Sequence, residues 1–185
     1  MPDDTTEDVV DLLLDQHARI EELFLLAAGA GGRTRADAFA ELVRLLAVHE
    51  TAEEEIIHPL SRTLPGDNDA MVDERLREER AAKETLAALI DGGVDSPGFE
   101  TGIMLLRTSV LEHARYEERY EFPRLRRHVP PDRLRQLAVA VRAAEAVAPT
   151  RPHPGAESAT ANLAAGVPLA VVDRIRDAVR GAAGS

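Results

Sequence analysis

The chain has 185 residues, a length that suits one compact domain with a tail. Hydrophobic residues make up 44%, but aromatics only 3% and Trp is absent, so an Ala-, Leu-, Glu- and Arg-rich chain favours helices over sheets. The net charge of -11 argues against a general nucleic-acid binder or a protein of anionic membrane surfaces, and the absence of Cys excludes disulfides, thiolate zinc sites, iron–sulfur clusters and thiol catalysis.

In chain order, the first predicted helix is capped by Thr5 or Thr6 and carries Val10, Leu13, Leu14, His17, Ile20 and Phe24 at helical spacing before "GAGG". The second starts at Thr34, carries Leu42, Leu45, Leu46, His49, Glu53, Ile56 and Leu60, and stops at "LPGD". The third follows Asn68 or Asp69 and carries Val72, Leu76, Glu79, Leu86 and Ile90 before "DGG". The fourth is capped by Ser96 with Pro97 in its first turn and carries Ile103, Leu106, Val110, His113, Glu117 and Tyr120. Connections this short favour antiparallel neighbours, so the expected fold is an all-α, up-down-up-down four-helix bundle over residues 5–128. Residues 129–185 form an expected C-terminal extension: a helix from Arg133 to Val147, the Pro-containing segment "APTRPHPGAESATANLAAGVP" and a short amphipathic helix, "LAVVDRIRDAVR". No apolar run approaches the roughly 20 residues of a membrane span. The acidic start, "MPDDTTEDVV", lacks a basic and apolar leader, so a cytoplasmic location is expected.

Two stretches repeat one pattern. "HETAEEEIIHP", from His49, and "HARYEERYEFP", from His113, each open with His, place Glu-Glu four and five residues later, and close with Pro at the eleventh position. A helix advances ~100° per residue, so His49 and Glu53 share a face with Leu42, Leu46 and Ile56, and His113 and Glu117 share one with Leu106 and Val110. His17 lies on the apolar stripe of the first helix. Burying bare imidazoles and carboxylates costs several kcal/mol, on the order of the known penalties for unpaired polar groups. A lone His on an apolar face is commonly a satisfied core residue, and a lone His/Glu pair at i,i+4 is usually a surface pair of small value. Two such pairs with the same downstream Glu and Pro, plus a third His in a stripe, point instead to a converging N/O metal site. That donor set suits iron, manganese or zinc, and imidazoles with two shared carboxylates suit a dinuclear iron centre.

These residues resemble the hemerythrin-like, or HHE cation-binding, family over roughly residues 5–128. His17 matches the family's first-helix His, "HETAE" its second-helix His-x3-Glu (His49, Glu53) and "HARYE" its fourth-helix His-x3-Glu (His113, Glu117). The third helix departs from the pattern because "LREERAAKETLAAL" contains no His. Counting back from Lys83 and Leu86 places Glu79 where the family carries that His, and Val72, Glu79 and Leu86 share a face at seven-residue spacing. Glu79 is therefore the expected carboxylate replacement. The competing readings are a Glu79–Lys83 pair at the bundle edge, Glu78 as the ligand, or a position filled by water. Set aside from the site are Glu50, about 100° off the stripe, and His58, on the opposite face and expected to pair with Glu54 or sit at a helix C-terminus. His128 and His153 are also set aside, and Glu54 and Glu118 are expected to face solvent or Arg side chains. Tyr116 and Tyr120 are expected to pack in the core, with a hydrogen bond to a ligand as the other role.

The resemblance implies two non-heme iron ions in an Fe-O-Fe type centre, with manganese or zinc as other occupants. Glu53, Glu117 and a solvent-derived oxygen would bridge the ions, and His17, His49, His113 and Glu79 would complete their shells. It implies a carrier, sensor or storage protein that binds or reacts with O2, peroxide or NO. The alternative is a catalase-like enzyme; the third reading is a metal-free helical interaction module. "GAGG" lacks the setting of a dinucleotide fingerprint, so a reaction needing electrons would take them from a donor protein. Nucleic acid and membrane are not expected partners, and the oligomeric state is left open.

Overall fold

The computed structural model describes residues 7–66 and 68–147; Thr5, Thr6, His153 and the segment after Val147 lie outside the described residues. The architecture is the four-helix bundle expected, with one further helix packed on it. The first rod is α1, Val9–Gly29. The second comprises α2 (Gly32–Ala52), a π-helical segment (Glu53–Ile57) and α3 (His58–Thr63) without interruption. The third is α4, Asp69–Gly92. The fourth comprises α5 (Phe99–Tyr116), a second π-helical segment (Glu117–Glu121) and α6 (Phe122–His128). The further helix, α7, spans Pro131–Val147 and begins two residues before its expected start. α1 packs against α2, α5 and α7, while α4 packs against α3 and α5. Among the described residues no helix is long and apolar enough to cross a membrane.

The cap of α1 is Asp8. Its Oδ1 accepts from the backbone N–H groups of Val10 (2.8 Å) and Asp11 (3.0 Å), and Asp11 Oδ2 accepts from the Asp8 N–H (3.2 Å). This reciprocal box satisfies donors that a helix start otherwise leaves free. Other starts differ from expectation in the same local way. α2 begins after Gly31 with no side-chain cap, and Ser96 stands in the turn before α5, its carbonyl accepting from Phe99 N. Gly93, at φ +77°, ends α4 in a conformation that favours glycine. Gly102 lets α5 approach α4 closely: a Cβ there would sit 2.6 Å from a Leu89 methyl carbon.

The core is two apolar clusters with a polar layer between them. One contains Val9, Leu13, Ile56, Ile57, Phe122 and Leu125, together with Leu134, Leu137 and Val141 of α7. The other contains Ile20, Phe24, Leu42, Leu46, Leu86, Phe99, Ile103 and Leu106. Along α1, His17 falls between Leu13 of the first cluster and Ile20 of the second. His49 and Glu53 fall between Leu46 and Ile56, and His113 and Glu117 between Leu106 and Phe122. The apolar ends supply the burial energy and hold the polar layer away from bulk water.

The repeated Pro residues account for the π-helical segments. Pro59 and Pro123 lack an N–H, and in a regular α-helix each ring would collide with the carbonyl four residues back. Widening the preceding turn relieves this, and the N–H groups of His58 and Phe122 reach the carbonyls of Glu53 and Glu117, five residues back. The wider turn slows the rotation of the chain, so the face expected from a 100° step no longer holds beyond Glu53 and Glu117. Tyr120, expected inward, is 45% exposed, while Glu121 is fully buried. His58, expected on the outer face, is 1% exposed.

Candidate metal centre

The polar layer brings together all six residues selected from the sequence. His17, His49, Glu53 and Glu117 each offer one donor atom within 4.8 Å of the others, and all four are buried. Glu53 recurs in a second such group with His58 and Glu79, and Glu117 in a third with His58 and Glu121. His113 Nε2 lies 3.2 Å from Glu117 Oε1, 3.7 Å from Glu53 Oε2 and 3.9 Å from Glu79 Oε1. Glu53, Glu117 and His58 each belong to two of these groups, and Glu53 and Glu117 have no exposed surface.

The histidines are oriented by partners on their Nδ1 atoms. His17 Nδ1 faces Glu118 Oε1 at 2.8 Å, His49 Nδ1 faces Gln16 Oε1 at 2.7 Å, and His113 Nδ1 faces Glu78 Oε2 at 3.0 Å. The Gln16 amide is itself fixed, because its Nε2 donates to Glu145 Oε1 on α7 at 2.6 Å. Glu78 is held by the Arg75 guanidinium at 2.6 Å. These acceptors cannot donate, so each Nδ1 carries a proton and each ring turns its Nε2 to the interior, where it could ligate a metal as a neutral imidazole.

Those Nε2 atoms converge on carboxylate oxygens. His17 Nε2 and His49 Nε2 are 3.1 Å apart. His49 Nε2 is 3.0 Å from Glu53 Oε1, and His17 Nε2 is 3.4 Å from Glu117 Oε2. Both oxygens of Glu53, both of Glu117, Glu79 Oε2 and His113 Nε2 are buried without a hydrogen-bond partner. Orphaned buried groups of this kind are rare and costly. A cation between them would satisfy the whole set, and separations near 3 Å match donors sharing an ion at about 2.0–2.2 Å.

Without such a cation, protons substitute. Burial pushes the His17 imidazole down, but Glu117 and Glu53 outweigh it and hold it above its ordinary value. His113 is raised in the same way: burial lowers it, and Glu117 and Glu53 reverse the sign. Burial would raise the Glu53 carboxyl, yet the adjoining His49 and His113 imidazoles hold it well below the usual range. Burial lifts Glu79 to about 7, with His58 opposing, and lifts Glu50 to about 8, with Lys83 opposing.

Several residues set aside from the sequence prove to belong to this layer. Glu50 is buried and lines a cavity with His17, His49, Glu53, Glu79 and His113, its Oε2 3.4 Å from Lys83 Nζ. The cavity also touches Glu78, Ala82 and Ser109, which places it between α2, α4 and α5. Glu54 pairs with Lys83 at 2.6 Å rather than with His58. Glu79 is therefore not the partner of Lys83; its Oε1 lies 2.5 Å from His58 Nε2. Glu118 is not simply solvated, since it orients His17. Tyr116 lies under the Arg75 guanidinium, 3.9 Å from ring centroid to Cζ, and Tyr120 stacks beside it near the surface. Glu121 and Gln16 were missed altogether. The signal that could have found Glu121 and His58 was the Pro closing each repeat, because a Pro within a helix marks a break in periodicity.

Comparisons with known proteins follow the same lines. A protein named as a DNA nickase from Nostoc sp. (strain PCC 7120 / SAG 25.82 / UTEX 2576) is 25% identical over 138 residues, which cover 74% of this chain and 39% of the relative. The chain thus spans well under half the length of that relative. No solved structure matches the chain. The model of the hemerythrin HHE cation-binding domain matches residues 8–125, which include every member of the polar layer except Glu145, and the chain belongs to that family.

Proposed function

We propose that the chain is a non-heme dinuclear metal protein, with iron as the resident metal and O2, peroxide or NO as its small-molecule ligands. The observation that carries this reading is the convergence of three inward-facing Nε2 atoms, on His17, His49 and His113, onto two carboxylates whose four oxygens have no hydrogen-bond partner. His17 and His49 would hold one ion, His113 and Glu79 the other, and Glu53 and Glu117 both. Imidazole and carboxylate donors suit iron, manganese and zinc; of these, iron and manganese add redox chemistry. The apolar clusters on both sides and the Glu50–Lys83 pair restrict what reaches the layer.

A catalase-like activity is the second reading. Peroxide disproportionation consumes and supplies its own electrons, and so needs no donor protein. The name of the Nostoc relative raises a third, DNA nicking. The net charge of -11 and the glutamates lining the cavity disfavour a polyanionic substrate.

Metal analysis of the purified full chain, together with its optical and Mössbauer spectra, tests the main reading. Two irons per chain with spectra of a coupled pair are expected. A folded chain that takes up no stoichiometric iron, manganese or zinc would overturn it. Oxygen evolution on adding peroxide separates the catalase reading from a carrier, for which reversible spectral change through deoxygenation cycles is the signature. Conversion of supercoiled plasmid to open circles by the iron- or manganese-loaded chain would support nicking instead.

A further inference from the structure

We propose that His58 is a fourth imidazole ligand, coordinating through Nε2 at the Glu79 position, and that Glu121 with Ser61 orients it. The inference rests on the dinuclear reading above and goes beyond its six residues.

His58 repeats the wiring of the other three histidines. Its Nδ1 faces a carboxylate oxygen, Glu121 Oε1, at 3.3 Å, as His17 faces Glu118 and His113 faces Glu78. Ser61 Oγ donates to the same Glu121 oxygen at 2.5 Å, which fixes that carboxylate as the acceptor. The remaining nitrogen, Nε2, therefore points into the polar layer, where Glu79 Oε1 lies 2.5 Å away. Its donor atom groups with those of Glu53 and Glu79 within 4.8 Å. A metal-bound histidine characteristically donates its other N–H to a carboxylate, carbonyl or water, and this arrangement is present at all four rings.

The chemistry also explains why the third helix can lack a histidine. Glu79 adds a carboxylate where an imidazole would add a neutral nitrogen, leaving the second position oxygen-rich. His58 returns that nitrogen from α3, on the far side of the π-helical segment. The internal repeat makes the choice visible. Position 58 corresponds to Phe122 in the second copy, and position 57 to Glu121. Phe122 stacks on the His17 ring at 5.7 Å between centroids and 17° between planes. One copy therefore uses this position to support a ligand ring, and the other supplies a ligand ring itself. A buried ion pair alone, His58 between Glu79 and Glu121, is the competing explanation.

The test uses the full chain, stripped of metal and titrated with ferrous iron without oxygen. Circular dichroism checks the fold of each variant. Wild type is expected to bind two irons. His58→Phe, which places in the first copy what the second already carries, is expected to bind one tightly and to lose the Mössbauer signature of a coupled pair. Glu121→Leu should weaken the second iron by roughly 10–100-fold, the usual effect of removing a ligand's orienting partner. Glu121→Gln keeps an acceptor oxygen and should stay within a few-fold of wild type, on the same principle. A folded His58→Phe chain with two irons and an unchanged spectrum overturns the inference and leaves the dinuclear reading intact. Should that variant not fold, the Glu121 pair decides: Leu and Gln variants that both bind the second iron as wild type does would overturn it. Failure of wild type to bind any iron would instead sink the dinuclear reading itself.

Discussion

The stretches from His49 to Pro59 and from His113 to Pro123 form the same local shape and do different work. Each passes from α-helix through a π-helical segment into a helix that begins beside Pro. Each completely buries the Glu four residues after its opening His, Glu53 or Glu117. Beyond that point the copies diverge. The first turns His58 inward over Glu79, while the second turns Glu121 inward and packs Phe122 on His17. A repeated backbone device has produced an asymmetric set of donors. The difference teaches that backbone symmetry positions the two carboxylates, while side-chain choice after the π-helical segment makes the two sides of the polar layer unlike.

The largest expected effect tests what the copies have in common. Glu53→Ala and Glu117→Ala should each weaken both ions by more than the roughly 10–100-fold seen on removing an orienting partner, because each carboxylate faces both positions. Retention of one ion at wild-type affinity by either variant, in a competition titration, would break the equivalence of the copies. Next comes metal removal. With metal at about a hundred times its dissociation constant, binding to the folded state adds about 2.7 kcal/mol, or about 5–10 °C in Tm for a chain of this size. Calorimetry before and after chelation measures it, and an unchanged Tm would contradict coupling of the metal to the fold.

That Tm gap should widen as pH rises from about 6 to 9. His58 is lowered by burial but raised to about 10 overall by Glu121 and Glu79, against an ordinary 6.5. In the metal-free chain its proton stabilises the fold fully below about 6.5, and that contribution disappears as pH rises through about 10. Glu79, raised by burial to about 7 from 4.5, acts in the same sense: its destabilisation is absent below 4.5 and complete above about 7. Metal binding requires bare imidazole nitrogens and ionised carboxylates, so it displaces these protons and tightens with pH. Melting the loaded and chelated chain across that range checks the sign. Glu53 and Glu117 are held low, so their contribution is present above 4.5 and is lost only as pH falls through their lower folded values.

Smaller effects separate the fold from the centre. Asp8→Ala removes the α1 cap and should cost about 1 kcal/mol, roughly 2–4 °C, with the metal count unchanged. Glu145→Ala releases Gln16, the residue that orients His49. It should weaken metal binding by less than the roughly 10–100-fold of a direct orienting partner and alter the spectrum of the first position only. A matching loss at the second position would mean that α7 acts on the whole bundle rather than through Gln16.

Much of the fold was legible because local rules and burial agree. Leu13, Ile20, Leu42, Leu46, Leu86 and Leu106 are buried where helical periodicity places them. His17, His49, Glu53, His113 and Glu117 share those stripes, so their convergence could be read from spacing, and Glu79 from its step to Val72 and Leu86. The helix starts were less legible. Asp8 competes with Thr5 and Thr6 as equally good cap types, and Ser96 lost its place to a turn that ends at Gly98. His58 and Tyr120 were misplaced, and Glu121 missed, for one reason, the wider turn ahead of Pro59 and Pro123.

By itself the sequence determined that the chain is a helical bundle with His and Glu in its interior, because a 100° step along each helix depends only on neighbouring residues. It also determined that two carboxylates, one per repeat, face inward together. Only the tertiary structure decided which atoms meet: that Nδ1 of His17, His49 and His113 is taken by Glu118, Gln16 and Glu78, turning Nε2 inward, and that His58 and Glu121 join them. Those partners come from other helices and from the departure of the π-helical segments from regular pitch. Both depend on how the rods pack, which no local periodicity encodes.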